Sequence, residues 1–257
     1  MSDQRRRRSG GGGGRGGGTR ASGRSLSQRV HTGRGRPVGS TIWLQRQLND
    51  PYVQEAQARG YRSRAAFKLA QLHERFGLIL PGQKVIDLGC APGGWLQVVS
   101  EAMGSDKSGE GLARGGRLVG IDLLPVDPLP GVVLIEGDFL DDEMPAQISA
   151  ALGGAADLVL SDMAANSIGH KRTDHLRTMA LAETAAHFAL EVLAPKGAFV
   201  AKVLQGGTEK ELLSLLKKSF TSVRHAKPPA SRKDSSEMYL VAQGFRGTGE
   251  SATSSEE

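Results

Sequence analysis

Four aspartates stand at or just beyond the ends of short apolar runs: Asp87 in Val85-Ile86-Asp87-Leu88, Asp122 in Gly120-Ile121-Asp122, Asp138 in Gly137-Asp138-Phe139, and Asp162 in Ser161-Asp162-Met163-Ala164. Carboxylates accept hydrogen bonds from ribose hydroxyls, from an adenine amino group or from an ammonium, and they provide negative potential for a cation. Any one of them alone reads as a turn or cap residue. In series they suit a nucleoside that carries positive charge, with Asp122 placed for the ribose and Asp138 for the adenine amino group. A second kind of chemistry sits in Ala198-Phe199-Val200-Ala201-Lys202-Val203-Leu204, where a lysine interrupts an apolar run. Burying an ammonium is costly unless a carboxylate pairs with it, and Asp162 is the expected partner. Lys68 lies upstream as a third member of this group.

The turn after the first aspartate is Gly89-Cys90-Ala91-Pro92-Gly93-Gly94-Trp95. Glycine tolerates positive φ and lets a ligand approach the backbone, and a helix N-terminus behind the turn offers unpaired N–H groups. No Lys-Ser/Thr follows Gly94, so the turn is not a nucleotide P-loop. The glycines do not reproduce the dinucleotide spacing either, and Pro92 stiffens the place where a pyrophosphate would approach. A nucleoside cofactor without phosphates, such as S-adenosylmethionine, fits this turn.

These residues need elements to hold them. Strands are expected at Lys84–Leu88, Arg117–Leu123, Val132–Glu136, Ala156–Met163 and Gly197–Leu204, alternating with helices at Trp95–Met103, Glu143–Leu152, His175–Leu193 and Thr208–Phe220. That alternation predicts an α/β fold with a mostly parallel sheet covered on both faces. Ser222–Lys227 and Met238–Phe245 read as two further strands with no helix between them, so they join as a hairpin and one strand near the C-terminus is antiparallel. Ahead of the sheet, Ser63 is expected to cap a helix from Arg64 to Phe76, after a short amphipathic stretch at Thr41–Leu48 and a turn at Asn49-Asp50-Pro51. The polar, Gly-rich segment 104–116 reads as a surface loop.

Of the 257 residues, the first 40 hold ten arginines and one acid, Asp3, within runs of glycine, although the whole chain carries only +6. The expected organisation is a disordered Arg/Gly-rich tail over 1–40, one domain over 41–246 and an acidic disordered tail over 247–257. The first tail suits sequence-independent contact with phosphates. Arg59, Arg62, Arg64 and Lys68 form a second basic cluster, attached to the domain. One cysteine, Cys90, excludes a disulfide framework and a Cys-rich zinc site, and a reducing cytoplasm follows. No apolar run approaches the length of a membrane span, and no apolar signal core opens the chain, so neither membrane nor export is expected.

Six segments together resemble one family: Tyr61-Arg62-Ser63-Arg64-Ala65-Ala66-Phe67-Lys68-Leu69, Asp87 through Trp95, Asp122 through Pro128, Ser161-Asp162-Met163-Ala164, Lys202-Val203-Leu204-Gln205-Gly206 and Ser235-Ser236-Glu237-Met238-Tyr239. They are similar, in this order and over about residues 41 to 245, to the FtsJ-like ribose 2′-O-methyltransferases, in particular the bacterial branch acting on a uridine of 23S ribosomal RNA. Where the family has Asp-Met-Ala-Pro-Asn, this chain has Asp162-Met163-Ala164-Ala165-Asn166. The resemblance implies a Rossmann-like, seven-stranded class I methyltransferase domain that uses S-adenosylmethionine and no metal. It implies a catalytic group of Lys68, Asp162, Lys202 and Glu237, and cofactor contacts from Gly93, Trp95, Asp122, Asp138 and Asp162. The implied partner is 23S ribosomal RNA within the large ribosomal subunit, approached by a cytoplasmic monomer. Lys202 would either accept the proton of the ribose hydroxyl or steer that hydroxyl as a cation.

Overall fold

The computed structural model describes residues 47–104, 111–165, 168–205 and 210–247. The expected tail over 1–40, the expected helical stretch from Thr41 as far as Arg46, the motif residues Asn166 and Gly206, and the acidic tail beyond Gly247 lie outside the described residues. The chain divides into two units, Met1–Asn49 and Asp50–Glu257, and the second carries every element below.

In chain order the elements are α1 (Pro51–Arg59), α2 (Ala66–Phe76), β1 (Lys84–Leu88), α3 (Gly94–Met103), β2 (Arg117–Asp122), β3 (Val132–Glu136), α4 (Met144–Leu152), β4 (Ala156–Ser161), α5 (Lys171–Val192), β5 (Leu193–Leu204), α6 (Lys210–Ser219), β6 (Phe220–Ala226) and β7 (Glu237–Phe245). The sheet has seven strands in the order β3-β2-β1-β4-β5-β7-β6. Strands β1 to β5 pair in parallel, and β7 runs antiparallel to both β5 and β6. The single reversed strand was expected; its position was not. It is the last strand among the described residues, yet it inserts between β5 and β6 and leaves β6 at the edge.

Side chains alternate across the sheet, which is why β1 and β4 read as continuous apolar runs: both of their faces are covered. Ile86, Leu88 and Val119 face Ile148 of α4, Ala185 of α5 and Leu216 of α6. Val85, Leu118 and Leu160 face the other way, onto Leu69 of α2, Leu96 of α3 and the buried rings of Trp95 and Tyr239. Each fully buried Leu or Ile contributes about 1.5 to 3 kcal/mol, so the two layers hold the strand ends rigidly in register. The strand order reverses between β1 and β4, and ligands of such sheets sit beyond the carboxyl ends of the strands at that reversal. Asp87 and Asp162 lie there.

Three local expectations change. Ser63 caps nothing: α2 begins at Ala66 without a side-chain cap, and the buried Ser63 hydroxyl has no hydrogen-bond partner. Residues 63–65 instead form tight turns, with Ala66 N–H donating to the Ser63 carbonyl and Phe67 N–H to that of Arg64. Asn49-Asp50-Pro51 is more than a turn, because Asp50 accepts a hydrogen bond from Tyr52 N–H and Pro51 opens α1. Strand β5 starts at Leu193, four residues earlier than the apolar run suggested, with a register shift against β4 between Ala156 and Leu158.

Candidate active site

Lys68, on α2, Asp162, just past β4, Lys202, in β5, and Glu237, opening β7, come from four elements and meet at one place. Lys68 Nζ lies 2.9 Å from Glu237 Oε2 and 3.9 Å from Asp162 Oδ2. Lys202 Nζ lies 3.2 Å from Asp162 Oδ1 and also donates to the Asp162 backbone carbonyl. The antiparallel pairing sets Leu204 opposite Glu237 and Lys202 opposite Tyr239, which brings β7 to this group. Tyr239, fully buried, donates its hydroxyl to Asp162 Oδ1 at 2.7 Å. Ser231 donates to Glu237 Oε1 at 2.8 Å, opposite the oxygen that Lys68 holds. Burial alone would raise the Asp162 carboxyl; the ammonium groups of Lys202 and Lys68, together with the Tyr239 hydroxyl, outweigh it and hold Asp162 below the usual carboxylate range. Burial and the nearby charge of Asp162 push the Tyr239 hydroxyl far above its ordinary range, so it stays a donor.

Asp162 also belongs to a cavity of about 330 Å³ that continues along the strand ends. Its walls include Gly89 and Ala91 of the Gly-rich turn, Asp122, Leu123 and Leu124 after β2, Asp138 and Phe139 after β3, and Met163 and Leu181. The turn must be glycine at 89: φ is +78°, and a Cβ there would stand 2.7 Å from Met163 Cγ. Asp122 is held by the N–H groups of Ala91 and Leu124, both at 2.9 Å, and Asp138 accepts from Leu140 N–H. Asp87 differs from these carboxylates. It is fully buried in β1, neither of its oxygens has a hydrogen-bond partner, and burial plus the charges of Asp162 and Asp122 raise its pKa well above the carboxylate range. An apolar cavity edged by the carboxylates of Asp122, Asp138 and Asp162 suits a cationic nucleoside better than a phosphate ester.

The cavity thus brings together Asp122, Asp138 and Asp162 of the expected cofactor contacts, and leaves two aside. Gly93 and Trp95 are not among the residues lining it. The Trp95 ring is buried against Tyr239, with Nε1 donating to the Ala65 carbonyl at 2.9 Å. Gly93 lies under the guanidinium of Arg62. Tyr239 and Ser231 had no role from sequence. Tyr239 stood in a quoted motif, and only the β5–β7 register shows that its hydroxyl reaches Asp162. Ser231 depends on how the 227–236 loop folds back, for which the sequence holds no local signal.

The basic cluster is also rearranged. Arg59 pairs with Glu55 at 2.6 Å on α1. Arg64 is mostly buried, ion-pairs with Asp50 at 3.0 Å and donates to the Ala230 carbonyl. Lys68 belongs to the charged group around Asp162. The cluster that reads as one basic surface therefore has distinct structural jobs. Among the described residues, no group of three or more His, Cys, Asp or Glu is arranged to hold a metal ion, and no helix is long and apolar enough to cross a membrane.

The sequence pattern of the FtsJ-like methyltransferases matches residues 61–245. Ribosomal RNA large subunit methyltransferase E of Paramagnetospirillum magneticum is 60% identical over 227 residues, covering 88% of this chain and 91% of that protein. The protein of the same name from Parvibaculum lavamentivorans is 58% identical over 231 residues, covering 89% and 90%. Among solved structures, a Plasmodium falciparum protein described as a ribosomal RNA methyltransferase is similar with a TM-score of 0.63 at 32% identity, over 73% of this chain and 100% of that one. With identity of this level along most of its length, on the sheet order and the four-residue group described above, the chain belongs to the FtsJ-like methyltransferase family.

Proposed function

We propose that the protein transfers a methyl group from S-adenosylmethionine to the ribose 2′-hydroxyl of a uridine in 23S ribosomal RNA, within the large ribosomal subunit, as a cytoplasmic monomer. The observation that carries this reading is the double membership of Asp162, which lines the cavity along the strand ends and also bonds to Lys202. One carboxylate thereby joins the place for a cofactor to the place for a nucleophile.

The residues divide the work. Asp122 and Asp138 would hold the ribose and the adenine amino group, and Leu124, Phe139, Met163 and Leu181 supply the apolar walls. When bound, S-adenosylmethionine supplies an electrophilic methyl on a sulfonium centre. Transfer would form the 2′-O–CH3 bond as the sulfonium S–CH3 bond breaks to leave a neutral thioether, with the hydroxyl proton released to water. A sugar hydroxyl is a weak nucleophile, so the protein must fix its orientation and stabilise the negative charge that grows on its oxygen. Lys202 does this in our reading: Asp162 anchors its ammonium from below through Oδ1 and the backbone carbonyl. Lys68 and Glu237 extend this into a chain of alternating charge, Lys202–Asp162–Lys68–Glu237. The N-terminal tail adds sequence-independent phosphate contacts, so its deletion lowers RNA affinity and flattens the salt dependence without removing activity.

Transfer of labelled methyl to unmethylated large subunits, to free 23S RNA and to bulk transfer RNA, with Lys202→Ala as control, tests the reading. Label in large-subunit RNA that disappears in the variant is the expected result, with cofactor affinity retained. Label confined to transfer RNA would move the target, and no label with RNA binding intact would overturn the enzymatic reading.

A further inference from the structure

Arg62 stands in the second basic cluster of the sequence, where a cation beside the domain could meet a phosphate, but its guanidinium has other partners. Nη1 donates to the Asp127 carbonyl at 2.7 Å, Nη2 to the Pro128 carbonyl at 3.0 Å, and Nη1 reaches the Pro92 carbonyl at 3.4 Å. The backbone of Arg62 is fixed as well: its N–H donates to Gln97 Oε1 at 2.8 Å, and Gln97 Nε2 donates back to the Gly60 carbonyl. The next residue upstream, Tyr61, bonds to Glu101 at 2.6 Å. Segment 60–62 is therefore docked along α3 with one planar fork extended from it.

The fork spans the two loops that wall the cofactor cavity. Pro92 belongs to the Gly-rich turn, which contributes Gly89 and Ala91 to the wall; Asp127 and Pro128 belong to the loop after β2, which contributes Leu123 and Leu124. That second loop carries Pro125, Pro128 and Pro130, which have no N–H to offer their neighbours' carbonyls. A guanidinium supplies the missing donors in fixed geometry, and two consecutive carbonyls match its fork. Gly93 is part of the same fit: its φ is +107°, and a Cβ there would lie 2.6 Å from Arg62 Nη1. On the cavity side the turn is tied to the end of β2, by Ala91 N–H to Asp122 and by the N–H groups of Gly89 and Cys90 to the Ile121 carbonyl; Arg62 ties it from outside to the loop that follows.

We infer that Arg62 is a positioning residue for the cofactor cavity, clamping the Gly-rich turn to the loop after β2, and is not a contact to the RNA backbone. The inference rests on the proposed use of S-adenosylmethionine in that cavity. It places a structural determinant of cofactor affinity in the segment that leads directly to Lys68.

The test compares Arg62→Ala and Arg62→Lys with the wild type by calorimetric titration of S-adenosylmethionine in the absence of RNA, alongside RNA affinity and steady-state kinetics. Lysine keeps the charge and loses the fork. Both variants should weaken cofactor binding by about tenfold or more, raising KM for the cofactor, while kcat at saturating cofactor and RNA affinity stay within about threefold of wild type. Loss of RNA affinity in Arg62→Ala, restored by Arg62→Lys, with cofactor affinity unchanged in both, would overturn the clamp in favour of a phosphate contact. Unchanged cofactor affinity in both variants with no RNA effect would overturn it too. Melting curves without cofactor establish that each variant folds, and Arg62→Lys decides the matter if Arg62→Ala does not. Wild-type protein that binds no S-adenosylmethionine would sink the functional reading and the clamp together; wild-type binding matched by both variants would sink the clamp alone.

Discussion

Asp87 and Asp162 sit near the ends of neighbouring parallel strands, and the protein drives them in opposite directions. Asp162 is surrounded by donors: Lys202, Lys68 and the Tyr239 hydroxyl all reach its carboxylate, and its pKa is depressed despite burial. Asp87 is more deeply buried, has no hydrogen-bond partner, and faces the charges of Asp162 and Asp122, so its pKa is raised. The group of Lys68, Asp162, Lys202 and Glu237 is thus electrostatically satisfied without any ligand, and Asp87 is not. A group that must orient a hydroxyl gains from being rigid beforehand. A buried carboxyl with no donor is relieved by keeping its proton, so Asp87 favours the neutral acid where Asp162 favours the carboxylate.

The largest way to break this contrast is Asp162→Asn. It keeps the shape and removes the charge between two ammonium groups, leaving Lys202 without its carboxylate. We expect kcat to fall by about a thousandfold or more, and stability to drop by about 3 kcal/mol, since an ammonium buried without its partner is destabilising. Single-turnover methyl transfer and denaturant unfolding measure both; transfer within tenfold of wild type would show that the carboxylate does not organise the lysines.

Asp87→Asn sharpens the contrast through pH. An acid whose folded pKa lies above its unfolded value of about 3.9 binds its proton more tightly in the native state. Its contribution is complete below that value and is lost as pH rises through the folded pKa. Asp162 has the opposite sign: its contribution is present above about pH 3.9 and is lost as pH falls through its depressed folded value. Replacing Asp87 by asparagine should therefore make the variant progressively more stable relative to wild type as pH rises above about 4, in the absence of cofactor. A parallel pair of stability curves would mean that Asp87 titrates normally in the folded protein.

The contrast also marks what the sequence could convey. The four aspartates, the Gly-rich turn and the lysine inside an apolar strand are local patterns, and the structure brings Asp122, Asp138 and Asp162 to one cavity and Lys202 to Asp162 as those patterns imply. The parallel alternation was equally legible, because covered strands such as Leu158-Val159-Leu160 must be apolar on both faces. What was not legible depends on distant partners. Nothing local says that β7 slides between β5 and β6, and this alone puts Tyr239 beside Asp162. Arg62 and Arg64 look like a surface charge until the carbonyls of Asp127, Pro128 and Ala230 arrive from more than sixty residues away. Asp50-Pro51 did contain a helix start, a cap followed by a proline, and a turn reading hides it because the same dipeptide serves both.

Tyr239→Phe tests how much of the Asp162 depression comes from a neutral donor. Loss of one hydrogen bond to a buried carboxylate should reduce stability by about 1 to 2 kcal/mol and kcat by about tenfold, and should move the acid limb of the stability curve upward. The ring still packs on Trp95, so the change reports the hydroxyl and not the core. An unaltered acid limb would assign the depression to the two lysines alone.

The smallest expected effect is at Ser231, one step further from the chemistry. Its hydroxyl holds Glu237 Oε1 while Lys68 holds Oε2, so the carboxylate is gripped from both sides, and the serine is itself buried. Ser231→Ala removes the weaker grip and leaves the ion pair. The carboxylate can then rotate about its terminal torsion, which is broad and roughly two-fold, at little energetic penalty. Stability should change by no more than about 1 kcal/mol and kcat by about threefold, with cofactor affinity unchanged because Glu237 lies outside the cavity wall. The effect matters for its direction. If Glu237 serves chiefly to hold Lys68 in place, Ser231→Ala and Glu237→Gln should not add, and the double variant should resemble Glu237→Gln alone. Additive losses would mean that Ser231 acts on the 227–236 loop by another route, and that the charged group around Asp162 is less complete in itself than its contrast with Asp87 implies.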